Sequence, residues 1–374
     1  MNVILLENGM RILTTILVAC VLFARTASAE SIKIGWMGPL TGNSAVLGID
    51  SVKAAQIAID QANAASGNQR RFELLVEDDH YDTAKAVSAY TKLVAQGAIA
   101  IIASTYGGVF ATANRAVKDG VVVIDPLDCN DEIAKLADNT FCIATQSESV
   151  GRAISHDIES KALSPVGIIY DEKNPFMTLV ANVVSQTNVD VAYSSGIDQS
   201  VSDFKTELLR AKSKNVRALV LLGHDPMGKA MQQGRALGIN AQFYTIGTIT
   251  SPGYQQLAGA SANGALVAYW EAPRGEAFEA FLNTFTQKVG RPPILELATI
   301  PTYDTAKILT KALRDKEPTT EQLKEFLSKL KEYPGLSGTI TMDKDGAVRT
   351  IHEVIYTFND GKLEKSITNK SSGQ

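Results

Sequence analysis

Residues 101–128 read IIASTYGGVFATANRAVKDGVVVIDPLD, and their pattern decides the fold. The apolar run Ala98–Ala103 ends in Ser104-Thr105-Tyr106-Gly107-Gly108. A helical pattern follows, and a second apolar run, Val121–Ile124, closes in Asp125-Pro126. The order is strand, Gly-rich turn, helix, strand. The turn sets small residues and unpaired backbone N–H groups at a helix N-terminus, where the dipole is positive. Such a place suits one polar end of a small ligand, most simply a carboxylate. Any βα turn in a parallel sheet looks similar, so the turn alone leaves a purely structural reading open.

Working outward, the same alternation recurs. Strands are expected at Ile32–Met37, Phe72–Glu77, Val166–Tyr170, Val191–Tyr193, Ala218–Leu222, Gln242–Thr245 and Gly264–Trp270. Helices are expected over Ile49–Ala65, Thr83–Ala95, Phe176–Thr187, Val201–Lys212 and Gly228–Leu237, and they dominate Gly275–Lys331. Two hairpin-like strands, Gly338–Met342 and Ile351–Phe358, are expected to close the chain through a turn near Asp343–Gly346, before a disordered polar tail, Asn369–Gln374. Short apolar strands alternating with helices predict an α/β protein whose mostly parallel sheets are covered on both faces. Two such series predict two similar lobes. Ligands of open α/β sheets sit beyond the C-terminal strand ends, which here carry small and polar residues.

The chain has 374 residues, 45% hydrophobic and 20% charged, enough for two domains. A net charge of -4 argues against nucleic acid or an anionic membrane surface as the main partner. Arg11, the apolar stretch Ile12–Ala24 and the Ala27-Ser28-Ala29 end make a secretory signal peptide over residues 1–29, with Met1 or Met10 as the start. Leu17-Val18-Ala19-Cys20 also has the form of a lipoprotein site, which would leave Cys20 acylated. Export to an oxidising compartment makes Cys129 and Cys142 a candidate disulfide, with two buried free thiols as the alternative.

Catalytic and metal signatures are missing. His80, His156, His224 and His352 are scattered without metal spacing, and no nucleophile elbow, phosphate loop or dinucleotide fingerprint occurs. Asp343-x-Asp345-Gly346 reads as a hairpin turn rather than a calcium loop, and Glu77-Asp78-Asp79-His80 as a solvated turn or helix cap rather than a metal site. No cofactor is expected.

Several stretches together carry a family resemblance: Ile32-Lys-Ile-Gly-x-Met-Gly-Pro-Leu-Thr-Gly42, Glu77-Asp78-Asp79, the Ser104–Gly108 turn, Val122-Val-Ile-Asp-Pro126, Arg235-Ala-Leu-Gly238 and Leu336–Gly346. In this order they resemble the periplasmic solute-binding proteins of the branched-chain amino-acid (Leu/Ile/Val-binding) ABC transport family. The resemblance implies a monomeric, non-enzymatic type I periplasmic binding fold that delivers a small amino acid, or a related carboxylate or amide, to the membrane subunits of an ABC permease. A sensor that signals occupancy is the alternative use. It implies lobe one at 31–145 plus 272–343 and lobe two at 146–271 plus 344–374, with three crossings near Thr145, Glu271 and Lys344. Tyr106 and Gly107 would hold the ligand carboxylate. Asp128 and Cys129 would offer polar groups, with Asp128 alternatively a helix cap. Leu47 stands at an aromatic stacking position, and Phe176, His224 and Thr248 would bind from lobe two. Gly247 falls where amino-acid binders carry an acidic residue for the ammonium. An enzyme would have only Asp128 and His224 as acid–base candidates.

Overall fold

Period-two apolar patterning explains both sheets. In a computed structural model, which describes residues 31–65, 70–198, 200, 202–271, 273–314, 319–349 and 353–365, Ile32–Gly38 (β1) sends Ile32, Ile34 and Trp36 to one core and Met37 to another. Ala100–Ala103 (β3) splits likewise, with Ala100 and Ile102 on one face and Ile101 and Ala103 on the other. Such strands are buried on both faces, which is why they read as unbroken apolar runs. With Phe72–Asp78 (β2), Val122–Asp125 (β4) and Thr140–Cys142 (β5) they form a five-stranded parallel sheet in the order β2-β1-β3-β4-β5.

One face of this sheet is covered by helices Ile49–Ala64 (α1), Glu276–Val289 (α10), Glu296–Ala312 (α11) and Thr320–Ser328 (α12). The other is covered by Thr83–Ala95 (α2), Tyr106–Asp119 (α3) and the short Asp131–Ala134 (α4). A second, seven-stranded sheet has the order β14-β13-β10-β9-β8-β6-β7. Its parallel part is Val166–Asp171 (β6), Val191–Ile197 (β7), Ala218–Leu222 (β8), Gln242–Ile246 (β9) and Ala265–Trp270 (β10). Helices Ser147–Ser160 (α5) and Pro175–Gln186 (α6) lie on one face. Helices Lys205–Ser213 (α7), Pro226–Ala236 (α8) and Pro252–Ala258 (α9) lie on the other.

The chain end differs from the expected hairpin. Gly338–Ile340 (β12) pairs with Tyr333–Gly335 (β11), whereas Glu353–Asn359 (β13) runs antiparallel to β10 and to Lys362–Lys365 (β14). The turn itself is present. The Asp343 carboxylate accepts from Asp345 N and Ala347 N, and Gly346 takes a φ of 90°. Beyond it, Ala347 bridges Cys142, and Val348 packs in the core of the first sheet. The apolar pair therefore belongs to the first sheet, and the chain leaves that sheet after Val348 rather than at Lys344. Gln146 Nε2 donates to Val348 O, and Arg349 reaches Gln146 Oε1 and Asp343, so two of the crossing segments are tied side by side. The expected signal peptide, Cys20 and the polar tail lie outside the described residues.

Candidate functional site

The C-terminal ends of both sheets converge on one cavity of about 50 Å³. From the first sheet come Leu47 after β1, Tyr81 after β2, Leu127 and Asp128 after β4, and Thr145 after β5. From the second come Phe176 and Met177 at the head of α6, His224 after β8, and Ile246, Gly247 and Thr248 at the end of β9. Val150, Ala268, Leu295, Leu297 and Glu353 complete the wall. The walls are mostly apolar, with a few polar groups, as small-solute sites usually are.

The loop after β2 is shaped by its acids. Asp78 Oδ1 accepts from His80 N and Asp79 Oδ1 from Tyr81 N, at 2.9 and 2.8 Å. These bonds hold His80 and Tyr81 in the left-handed region, at φ 55° and 57°, which costs non-glycine residues energy and recurs at ligand sites. The turn throws the Tyr81 ring across to the second sheet. Its hydroxyl is hydrogen-bonded to Asn174, and its ring meets His224 edge-on at 6.0 Å. Asn174 Oδ1 caps α6 by accepting from Phe176 N and Met177 N, which turns its amide nitrogen to His224 Nε2 at 3.3 Å. That network assigns Nε2 as acceptor and leaves the proton on Nδ1. Burial depresses His224 to about 4, so the ring is neutral at pH 7.

Carboxyl groups crowd the same end. Asp128 is 3% exposed, and Asn130, rather than Asp128, caps the following helix by accepting from Ile133 N. Asp128 is left facing the cavity, with Oδ2 lacking a partner. Burial and the Asp125 charge push its pKa well up. Asp125 Oδ1 accepts from Leu127 N and Asp128 N. On the opposite wall Glu353 Oε2 is buried without a partner, and burial raises the group to about 7 against a bond from Thr145.

The structure gathers Leu47, Asp128, Phe176, His224 and Thr248 around the cavity and places three other expected residues elsewhere. Tyr106 is packed in the core of the first sheet against Phe110, its hydroxyl accepting from Asn130 Nδ2 at 2.9 Å. A side chain on Gly107 would point at Thr83. Cys129 is joined to Cys142 in a disulfide with a Cα separation of 5.2 Å, and it does not line the cavity. Asp79 is fully buried rather than solvated. Among the described residues no cluster has the makings of a metal site. Gly247 lacks more than a carboxylate. An added Cβ there would overlap the Tyr269 ring and lie 2.8 Å from Leu297 Cδ2, so no side chain fits.

Tyr81 and Glu353 were not expected. Consecutive Asp78-Asp79 before His80-Tyr81 is an Asx-turn signal that does point to an unusual backbone at Tyr81. Glu353 sits more than 200 residues from Thr145 and carried no local signal.

Two sheets with ligand-facing strand ends and three chain crossings define a hinged, two-lobed solute-binding protein of the type I periplasmic binding fold. The chain belongs to the periplasmic binding protein family, whose profile matches residues 31–357. The leucine-, isoleucine-, valine-, threonine- and alanine-binding protein of Pseudomonas aeruginosa is 24% identical over 348 residues, 89% of this chain and 91% of that protein. The Leu/Ile/Val-binding protein of Citrobacter freundii is 27% identical over 249 residues, 64% of this chain and 68% of the other. The branched-chain amino-acid transporter substrate-binding protein LivJ of Streptococcus pneumoniae, solved with isoleucine, superposes with a TM-score of 0.80 at 25% identity, covering 90% of this chain and 98% of that one. A Rhodopseudomonas palustris solute-binding protein solved with benzoate shares the fold, with a TM-score of 0.77 at 17% identity over 89% of this chain and 95% of the other.

Proposed function

We propose that this chain is an exported, monomeric solute-binding protein that captures a small solute between its lobes and presents the closed form to an ABC permease. The observation that supports this most is the shared cavity, walled by strand ends of both sheets and bridged by Tyr81 to Asn174 and His224. A solute touching both walls at once favours the closed arrangement by differential binding, with the crossings after Thr145, Glu271 and Val348 as the hinge. Asp128 and His224 act as wall groups of a binding site, not as an acid–base pair. The isoleucine bound by the LivJ neighbour supports a small metabolite as cargo. Deleting the gene should abolish uptake of the solute that raises the melting temperature of the purified chain. Uptake that persists after deletion, with only a solute response lost, would replace delivery by sensing.

A further inference from the structure

We propose that the solute is a small organic cation, a primary ammonium or amidinium on a short apolar body, held between Asp128 and Glu353, and that it carries no carboxylate. The inference rests on the solute-binding reading above and names the class of ligand.

The first support is where the anion-binding devices have gone. The N-terminus of α3 faces a carboxyl group of the protein itself, because Asp79 is fully buried against the Thr105 hydroxyl there. The backbone N–H groups of the loop after β4 are also taken, since Leu127 N and Asp128 N both donate to Asp125. A ligand carboxylate would have to displace the Asp125 carboxylate to reach the loop after β4, and Tyr106 and Gly107 at the head of α3 do not line the cavity.

The second support is the balance of donors and acceptors at the wall. Thr248 Oγ1 donates to Gly223 O at 2.7 Å, and Thr145 is bonded to Glu353. His224 Nε2 accepts from Asn174. Asp128 Oδ2 and Glu353 Oε2 remain buried without partners, one on each side, and none of the described lining residues is Lys or Arg. Asp79 and Asp125, each with one carboxyl oxygen buried and unpartnered, stand close enough to Tyr81 for their charges to act on its hydroxyl. A ligand carboxylate would find no cationic partner among the described lining residues, whereas a cation turns the unpartnered carboxyl oxygens into charge-assisted hydrogen bonds as their protons leave. Size agrees. A cavity of 50 Å³ holds roughly three to five water-sized groups, about half the non-hydrogen atoms of leucine.

The test is calorimetric titration of the full mature chain at pH 7.5 with a matched set: propylammonium chloride, sodium propionate, alanine and leucine. The proposal expects saturable binding of propylammonium at one site per chain and at least tenfold weaker binding of the other three. It also expects net proton release to the buffer, read by repeating the titration in buffers of different ionisation enthalpy. Asp128→Asn and Glu353→Gln should each weaken propylammonium at least tenfold. The proton count needs no variant, so a variant that misfolds does not blunt the test. Propionate or leucine binding as tightly as propylammonium would overturn the cation assignment and leave the solute-binding reading standing. Propylammonium binding that survives both substitutions would overturn the site. Silence from the whole set would overturn both.

Discussion

Gly247→Ala should destabilise the protein even though it adds only a methyl group to a buried position. The added Cβ would overlap the Tyr269 ring, which is itself 7% exposed and stacked edge-on against Tyr356 at 6.1 Å. Leu297 Cδ2 closes the other side at 2.8 Å, and Leu297 N donates to the Tyr269 hydroxyl, so the ring cannot swing away without breaking a contact. Overpacking of this kind costs about 1–3 kcal/mol. Tyr269→Ala alone should cost about 3–5 kcal/mol through the cavity it leaves. In the double variant the clash is gone, so the two costs should fall short of their sum by about 2 kcal/mol. Equilibrium urea unfolding of the four proteins reads this coupling. A Gly247→Ala variant within about 0.5 kcal/mol of the parent, or a strictly additive double variant, would refute the claim that Tyr269 occupies the space of a residue 247 side chain. Gly247→Glu should fail to create an ammonium site for the same steric reason.

Three further outcomes follow from named contacts. Replacing both Cys129 and Cys142 by Ser should lower stability by about 3 kcal/mol, the chain-entropy value for a loop of this size, and reductant should lower the parent's melting temperature but not the variant's. Asn174→Ala removes the α6 cap together with the amide contact to His224 and should cost about 1–2 kcal/mol in urea unfolding. Glu353 has its folded pKa raised from 4.5 to about 7, so the folded chain holds that proton more tightly than the unfolded chain. Its stabilising contribution is therefore complete below pH 4.5 and is lost as pH rises to 7, a change of about 3 kcal/mol. Glu353→Gln does not titrate, so it should gain on the empty parent by that amount between pH 4.5 and 7.5. Parallel stability profiles would contradict the assignment.

The sheets were legible because burial on both faces leaves a signal in composition as well as in period, as in Val121–Ile124 and Ala218–Leu222. α5 was missed although Val150, Ile154 and Ile158 mark one apolar face, because its remaining residues are polar. Part of the cavity lining could be placed by resemblance, since Asp128, Phe176, His224 and Thr248 sit at strand ends or helix heads whose direction the topology sets. Tyr106 could not. It opens α3, but the helix rotates it into the core, and only packing against Phe110 and Asn130 decides that. The pairing of β13 with β10, which carries Glu353 to the cavity, joins residues almost a hundred positions apart and leaves no local trace.

The central claim is that the cavity between the lobes is the solute site. Ala268 lines that cavity from β10 and is 2% exposed, so Ala268→Leu places a larger apolar side chain in it while replacing no polar group. The measurement is thermal unfolding of the parent and of Ala268→Leu across a panel of small amino acids, amides, carboxylates and amines. The account predicts that at least one solute raises the parent's melting temperature with rising concentration, by mass action on the native state, and leaves the folded variant unmoved. A solute that shifts both proteins equally, or a panel that shifts neither, would contradict it.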